Sequence, residues 1–400
     1  MDIGPVSIVP KEGAIVYQVN FDLKGQAQQL WFEISHSANL SVSNSADTAL
    51  VSLLLPAMLA NESIHVSGSV SEQLLFNLNN AYQTLVIQQI PKLQRITITA
   101  DHCCNKSNSA TGVISGFSAG VDSFCTITDY FADSTPSALK ISHLLYNNVG
   151  SHGLGKERLF RERYEQLKHS ASTWKLPFIM VNSNMNDFYK RALDFQLTHT
   201  IRNAAIPLLF QKHIGHFLYS SAYSYQDLYV GSSYDMAYSD VFSLPLLSTE
   251  SLQSHSVGSE YSRVEKTLRI SYNSHSFKVL DVCVKGDLAQ NCSHCEKCLR
   301  TLLTLDIADK LSLYQDSFDM AVYQQHKDQF IADMLISKDP LLKEIVLWAK
   351  QQRYYFSFKH YLLAAFLYLK GTPNIALKNA KKPVKFVLAR LGLYHPKQYH

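Results

Sequence analysis

The densest chemistry in this 400-residue sequence is Cys283-x8-Cys292-Ser-His-Cys295-Glu-Lys-Cys298, which holds four of its seven cysteines. Three thiolates separated by two-residue gaps wind round one point in a tight knuckle. A fourth, from a strand expected over 281–285, closes a tetrahedron, and that is the donor set of a closed structural zinc site. His294 is an alternative ligand, and an iron–sulfur cluster an alternative occupant. Cysteines this few and this clustered point to metal chemistry in a reducing cytosol rather than to a disulfide framework.

A second stretch, Gly116-Phe117-Ser118-Ala119-Gly120-Val121-Asp122-Ser123, has the composition of an anion pocket. A strand, a small-residue turn and a helix N-terminus expose several backbone N–H groups, with the positive end of the helix dipole behind them. Small residues let phosphate oxygens approach the amides. Ser118 and Ser123 add hydroxyl donors, and Asp122 has the chemistry to reach a Mg2+ ion bridging phosphate oxygens. A competing stretch, Gly150-Ser-His-Gly-Leu-Gly155-Lys156, has Walker A spacing. It fails at the next position, where Glu157 replaces the Ser or Thr that would hold magnesium.

These residues need elements to position them. Strand-like runs at 112–117, 139–146, 177–182 and 216–221 alternate with helical stretches near 121–132, 156–171 and 198–214. That rhythm predicts an α/β fold, a parallel sheet with helices on both faces and ligands beyond the C-terminal ends of the strands. Ahead of it, 14–23 and 28–35 alternate apolar with polar and read as paired strands. Residues 47–60 and 70–90 read as helices, the second opening on a capping box from Ser69 to Glu72, and 62–67 and 94–100 read as short strands. The polar stretch 101–110 marks a boundary. Three domains are expected: 1–105, a small α+β unit; 106–310, holding the anion turn and the knuckle; and 311–400, helical and basic.

The hexamer Ser118-Ala119-Gly120-Val121-Asp122-Ser123 resembles the loop of the PP-loop ATP pyrophosphatase superfamily, Ser-Gly-Gly-x-Asp-Ser. It departs at Ala119, which costs of the order of 1 kcal/mol if that position takes a positive φ. The loop combined with Cys-x8-Cys-x2-Cys-x2-Cys and the following Leu299-Arg300 resembles the cyano-deazaguanine synthases of the queuosine pathway and their relatives, over roughly 111–303. Arg202-Asn203 resembles an Arg-Asn element of that group, while Thr249-Glu250, Arg263-Val-Glu265-Lys266 and Asn291 to Thr301 resemble a less characterised bacterial branch of the superfamily, which is the closer match. The resemblance implies an adenine-nucleotide alpha hydrolase (HUP) type of fold. It implies ATP, Mg2+ and Zn2+, and a reaction in which a substrate carboxylate or carbonyl oxygen takes AMP, pyrophosphate leaves, and ammonia or an amine displaces AMP. On that reading Phe117 to Ser123, with Asn203, hold the nucleotide. Asp122 reaches the Mg2+ ion, Arg202 and Lys266 are the electrostatic partners, and Glu250 or Glu265 orients the nucleophile. Two rivals remain: a tRNA sulfur-insertion ligase, for which Cys103, Cys104 and Cys125 are the spare thiols, and a non-catalytic nucleotide-binding subunit of a larger complex.

Composition bounds the setting. The chain is 46% hydrophobic and 18% charged, ordinary for a globular protein. No apolar run approaches the roughly 20 residues a membrane span needs. No secretory signal is read at Met-Asp-Ile-Gly-Pro, so the cytoplasm is expected. With Asp2 after Met1, an N-terminal-cysteine glutaminase is set aside and ammonia comes from elsewhere. The net charge of +4 is uneven: residues 345–400 carry ten Lys or Arg and no Asp or Glu. Expected partners are therefore a small-molecule or peptide carboxylate substrate, a protein partner through residues 1–105, an anionic partner (nucleic acid, membrane surface or acidic protein) at the basic tail, and a second copy in a homodimer.

Overall fold

A computed structural model of the chain describes residues 1–35, 40–107, 109–151, 156–189, 193–283 and 290–371. The Walker-like stretch from 152 to 155 and the basic segment from 372 onward lie outside the described residues. The described chain divides into two compact units, Met1–Tyr261 and Ser262–His400. It is an α/β protein whose mixed, mostly parallel sheet is flanked by helices and followed by a helical C-terminal region. No helix among the described residues is long and apolar enough to cross a membrane.

The strands of the first unit are β1 (Asp2–Ile3), β2 (Ser7–Lys11), β3 (Ala14–Leu23), β4 (Gln26–Ser35), β5 (Ile64–Ser71), β6 (Ile98–Cys104), β7 (Gly112–Gly116), β8 (His143–Asn148), β9 (Phe178–Ser183), β10 (Ile214–Ser220) and β11 (Gln253–Val257). They form one eleven-stranded sheet in the order β11-β10-β7-β8-β9-β4-β3-β1-β5-β6, with β2 paired to β3. The five strands β7 to β11 are mutually parallel where they pair. Numbered among themselves, they lie 3-2-1-4-5 across the sheet.

That order creates a switch point. The chain leaves β7 for β8 on one side, then crosses after β9 to β10 on the other. The loops leaving the C-terminal ends of β7 and β10 therefore diverge and leave a crevice between them. The central strand β7 buries Val113, Ile114 and Ser115 in succession, as a strand covered on both faces must.

The amino-terminal strands do not close a sheet of their own. β4 pairs antiparallel with β9, Phe32 opposite Ser183 and Ile34 opposite Val181, so the β3–β4 hairpin extends the parallel half. Alternation sets which side faces inward: Tyr17, Val19 and Phe21 of β3 and Leu30, Phe32 and Ile34 of β4 are buried in one core with Ile114, Leu145 and Ile179. Helix Asp47–Ala60 is buried from Asp47 to Met58 and stops at Asn61, whose left-handed backbone turns its N–H onto the carbonyls of Ala57 and Met58. The next helix starts two residues later than its sequence suggests. Ser69 is still paired with His102 in the β5–β6 ladder, so Ser71 becomes the cap and accepts from the Leu74 N–H.

The second unit is built from helices Arg263–Ile270, Glu296–Ile307, Met320–Ile336, Pro340–Gln351 and Phe358–Gly371. The Glu344 carboxylate accepts from the backbone N–H groups of Arg263 and Val264, tying the fourth of these helices to the start of the first. The four cysteines lie in this unit.

Candidate functional site: a turn at the switch point and a four-cysteine centre

The turn after β7 has the form its small residues predict. Ser118 is exposed and Ala119 buried, and helix Val121–Tyr130 begins at Gly120 with no side chain capping its first turn. Gly120, as the N-cap, puts no side chain of its own over the leading amides, which leaves room for an anion to approach them. Ala119 has φ +55°, the left-handed region, so it carries the strain of about 1 kcal/mol that glycine would avoid. The Ser123 hydroxyl donates to the Gly120 carbonyl at 3.0 Å. Thr126 and Ser220 share a hydroxyl hydrogen bond of 2.7 Å, fixing the helix against the end of β10.

Beside the turn, β10 delivers a group that residue spacing does not reveal. The Tyr219 hydroxyl lies 2.7 Å from His199 Nδ1, and His199 Nε2 lies 3.0 Å from Asp235 Oδ1. Burial pushes the Asp235 carboxyl up, but hydrogen bonds from His199, the Ala237 N–H and Gln196 outweigh it and hold the group below the usual carboxylate range. An ionised Asp235 accepts a hydrogen bond from the Nε2–H of His199, which leaves Nδ1 to accept from the Tyr219 hydroxyl. Burial raises the Tyr219 phenol well above its ordinary value, and the charges of Asp240, Asp235 and Asp122 add to the rise. Asp122 of the turn is thus within electrostatic reach of the relay. The members come from helix Phe195–Ala205, from β10 and from the segment after it. They are distant in sequence and match no local motif.

Deeper in the same network the Thr200 hydroxyl donates to Asp240 Oδ1 at 2.6 Å, while Asp240 Oδ2 is buried with no hydrogen-bond partner. Burial pushes the Asp240 carboxyl up to about 6. The native state then keeps a proton that the unfolded chain loses near pH 3.8, so stability falls as the pH rises from about 3.8 to about 6 and stays lowered above it. The loss amounts to up to about 3 kcal/mol. Asp240→Asn is therefore expected to melt above the wild type at pH values over about 7 and to converge with it near pH 4, as thermal denaturation would record. A variant that melts below the wild type at the higher pH would contradict this.

Others of the residues singled out by sequence have structural partners of their own. Arg202 is 1% exposed, and its guanidinium donates to Thr198 Oγ1 (2.8 Å), the carbonyls of Val149 (3.1 Å) and Leu193 (2.9 Å), and Asn186 Oδ1 (2.8 Å). It also lies 3.9 Å from the Tyr189 ring centroid, and burial brings it down to about 10. Arg202 thus joins the loops leaving β8 and β9. Gly150 gives it room: at φ +112°, a Cβ there would sit 2.5 Å from Arg202 Nη1. Asn203 Nδ2 donates to the His199 carbonyl one turn back, at 2.7 Å.

Glu250 accepts from the Gln73 N–H at 2.7 Å, serving the first turn of the helix after β5. Glu265 forms a capping box with Ser262, and Lys266 is buried on the same short helix of the second unit. Glu157, the residue that breaks the Walker pattern, pairs with Arg161 and accepts from Asn182.

The four cysteines of the second unit meet. Their Sγ atoms all lie within 4.8 Å of one another, and Cys283, Cys295 and Cys298 are buried. A tetrahedral ion with bonds of about 2.3 Å sets its sulfurs about 3.8 Å apart, so the spacing fits a single metal ion such as zinc. An iron–sulfur cluster interposes several atoms and holds its thiolates further apart. Ser293 takes a left-handed turn (φ +56°) between Cys292 and Cys295, and the Cys295 N–H points at Cys292 Sγ at 3.3 Å. Asn291 bonds to Val282, Leu280 and Ser317 and fixes the approach of the chain to Cys283. His294 is exposed, with Nδ1 on the Cys292 carbonyl, and takes no place among the ligands. Hydrogen bonding to Cys295, burial and the neighbouring sulfurs push the Cys298 thiol far up, and a bound cation would reverse this.

The chain matches no protein-family model, no curated protein and no solved structure.

Proposed function

We propose that this chain is an ATP-dependent adenylating enzyme. ATP is cleaved between its α- and β-phosphates, AMP passes to a carboxylate or carbonyl oxygen of the substrate, and ammonia or an amine then displaces AMP with formation of a C–N bond. The observation that carries this reading is the small-residue turn 118–123 at the switch point of five parallel strands, where a glycine N-cap would let a polyphosphate approach a helix N-terminus and its dipole. Ser118, Gly120, Asp122 and Ser123 would hold the departing pyrophosphate, whose developing charge such groups stabilise best in the transition state. Asp122 would carry Mg2+, which supplies charge neutralisation there.

The relay gives the second half-reaction a proton acceptor. As the attacking nitrogen loses its proton to the Tyr219 oxygen, the phenol proton passes to His199 Nδ1. A neutral phenol remains, with an imidazolium paired to Asp235. Arg202 and Glu250, engaged elsewhere, are assigned no step. Zn2+ in the four-cysteine site would act on folding.

A sulfur-insertion ligase finds less support. Cys103 and Cys104 lie on β6, seven inter-strand steps from β7, or roughly 30 Å, and Cys125 is buried. A non-catalytic nucleotide-binding subunit draws support from one feature, the strained Ala119 in the turn.

The test is a screen of carboxylic acids with ammonium and Mg·ATP for pyrophosphate release, with mass analysis of the product. With an acid that turns over, Tyr219→Phe should lower the rate about a hundredfold while ATP binding persists. Unchanged turnover would remove the relay from the mechanism. No release with any acid, despite nucleotide binding, would favour the non-catalytic reading.

A further inference from the structure

The helix after β5 carries a groove that the proposed reaction leaves unused. Helix Glu72–Asn77 runs through a π-helical turn, Leu78–Tyr82, into helix Gln83–Gln89. Such turns are rare and frequently mark functional sites. This one is held in place: the Asn79 side-chain amide exchanges hydrogen bonds of 2.9 and 3.0 Å with the backbone of Ile98, and Arg95 Nη2 donates to the Asn79 carbonyl at 2.6 Å. Ala81, Thr84, Leu85 and Gln88 form one wall of a groove of about 540 Å³, completed by Arg95 and by Val230 from the segment after β10. Phe76, 67% exposed, precedes Asn80, Thr84 and Gln88 at intervals of four residues, which lines these side chains along one side of the helix.

The facing wall is firm. Tyr229, next to Val230, packs on Tyr238, which stacks in turn on Tyr223, with ring centroids 4.9 and 4.0 Å apart. The Gln89 side-chain amide donates to the Met236 carbonyl at 3.4 Å and joins the two walls. Residues 223–238 hold five tyrosines, three serines and a glycine, and Tyr225 and Tyr234 are each 60% exposed. Binding loops use this composition, because a tyrosine supplies a large contact area at a small entropic cost.

Charge sets the occupant. Arg95 is exposed, gives one N–H each to Asn79 and to Thr84 Oγ1 (3.1 Å), and pairs with no carboxylate among the described residues. A guanidinium has five N–H donors, so three remain for an acidic partner. A nucleic acid needs several cations along its track, and this groove offers one between apolar walls. A small ligand needs deeper enclosure than lining residues such as Asn80, Ala81 and Thr84 provide, all of them exposed. A polypeptide segment meets both conditions.

We infer that this groove docks a short segment of a partner protein, which sets a large apolar side chain between Leu85 and Val230 and a carboxylate on Arg95. The inference does not rest on the adenylation reading. The test pans a random dodecapeptide library on the immobilised full chain and measures the selected peptides by fluorescence anisotropy. Selected sequences should carry Asp or Glu within about four residues of a large apolar residue, and their binding should weaken as salt rises. Arg95→Gln and, separately, Val230→Glu should each weaken binding about tenfold or more. Val230 is 43% exposed, so its variant should keep the wild-type melting temperature and separate docking from folding. A selection without that pattern, or peptides that bind Val230→Glu as well as the wild type, would overturn the inference. So would a dimer in solution that Val230→Glu dissolves, since the groove would then belong to a second copy.

Discussion

Removing with a strong chelator the metal ion that the four-cysteine centre could hold is expected to unfold the second compact unit, with loss of its helical signal. The reason is one of magnitude. Structural zinc contributes roughly 10 to 16 kcal/mol in small peptides, against about 5 to 15 kcal/mol for the whole stability of a domain. Ser293 sits in a left-handed conformation, and the Cys295 thiol, at the N-cap of helix Glu296–Ile307, makes no capping bond to the helix amides. With four sulfurs brought together and no cation, mutual repulsion and burial oppose the fold. Cys295→Ser should act in the same direction. Far-UV circular dichroism and a thermal melt, with and without chelator, would measure the effect. A chelated sample that keeps full helicity and a cooperative melt would refute it.

Asp122→Asn is expected to reduce ATP-dependent pyrophosphate release by at least about a thousandfold, with the fold intact. The side chain lies in the first turn of helix Val121–Tyr130, partly exposed, and an amide of the same shape fits the same space. What the amide lacks is the charge that would hold Mg2+ beside the phosphates. The same charge also acts on Tyr219, so the pH profile of any residual activity should shift as well. An asparagine variant with the wild-type rate and profile would exclude this role for the carboxylate.

Much of the architecture was legible in the sequence because it is written locally. The period-two runs at 14–23 and 28–35, the alternation of strand and helix from 112 to 220, and helix 47–60 all declare themselves in windows of ten to fifteen residues. The cysteine knuckle was equally plain, since its ligands lie close in sequence. What escaped was set by pairing between distant segments. No local pattern says that β4 docks on β9 and continues the parallel sheet, or that β11, with two serines and a histidine among its five residues, forms a strand. Arg202 and Glu250 kept the residue types of a charged site, yet one ties together the loops leaving β8 and β9 and the other serves a helix end. The Tyr219–His199–Asp235 relay was hidden for the converse reason, because its members share a neighbourhood only after the crossover from β9 to β10 is made.

The central claim is that the turn 118–123 cradles the polyphosphate of ATP for cleavage next to the α-phosphorus. The most direct test follows the phosphorus resonances of Mg·ATP incubated with the protein, an accepted carboxylic acid and ammonium. AMP and pyrophosphate should appear together in equal amounts and fail to appear with Asp122→Asn. ADP and orthophosphate instead, or nucleotide resonances that neither broaden nor change in the presence of the protein, would contradict the account.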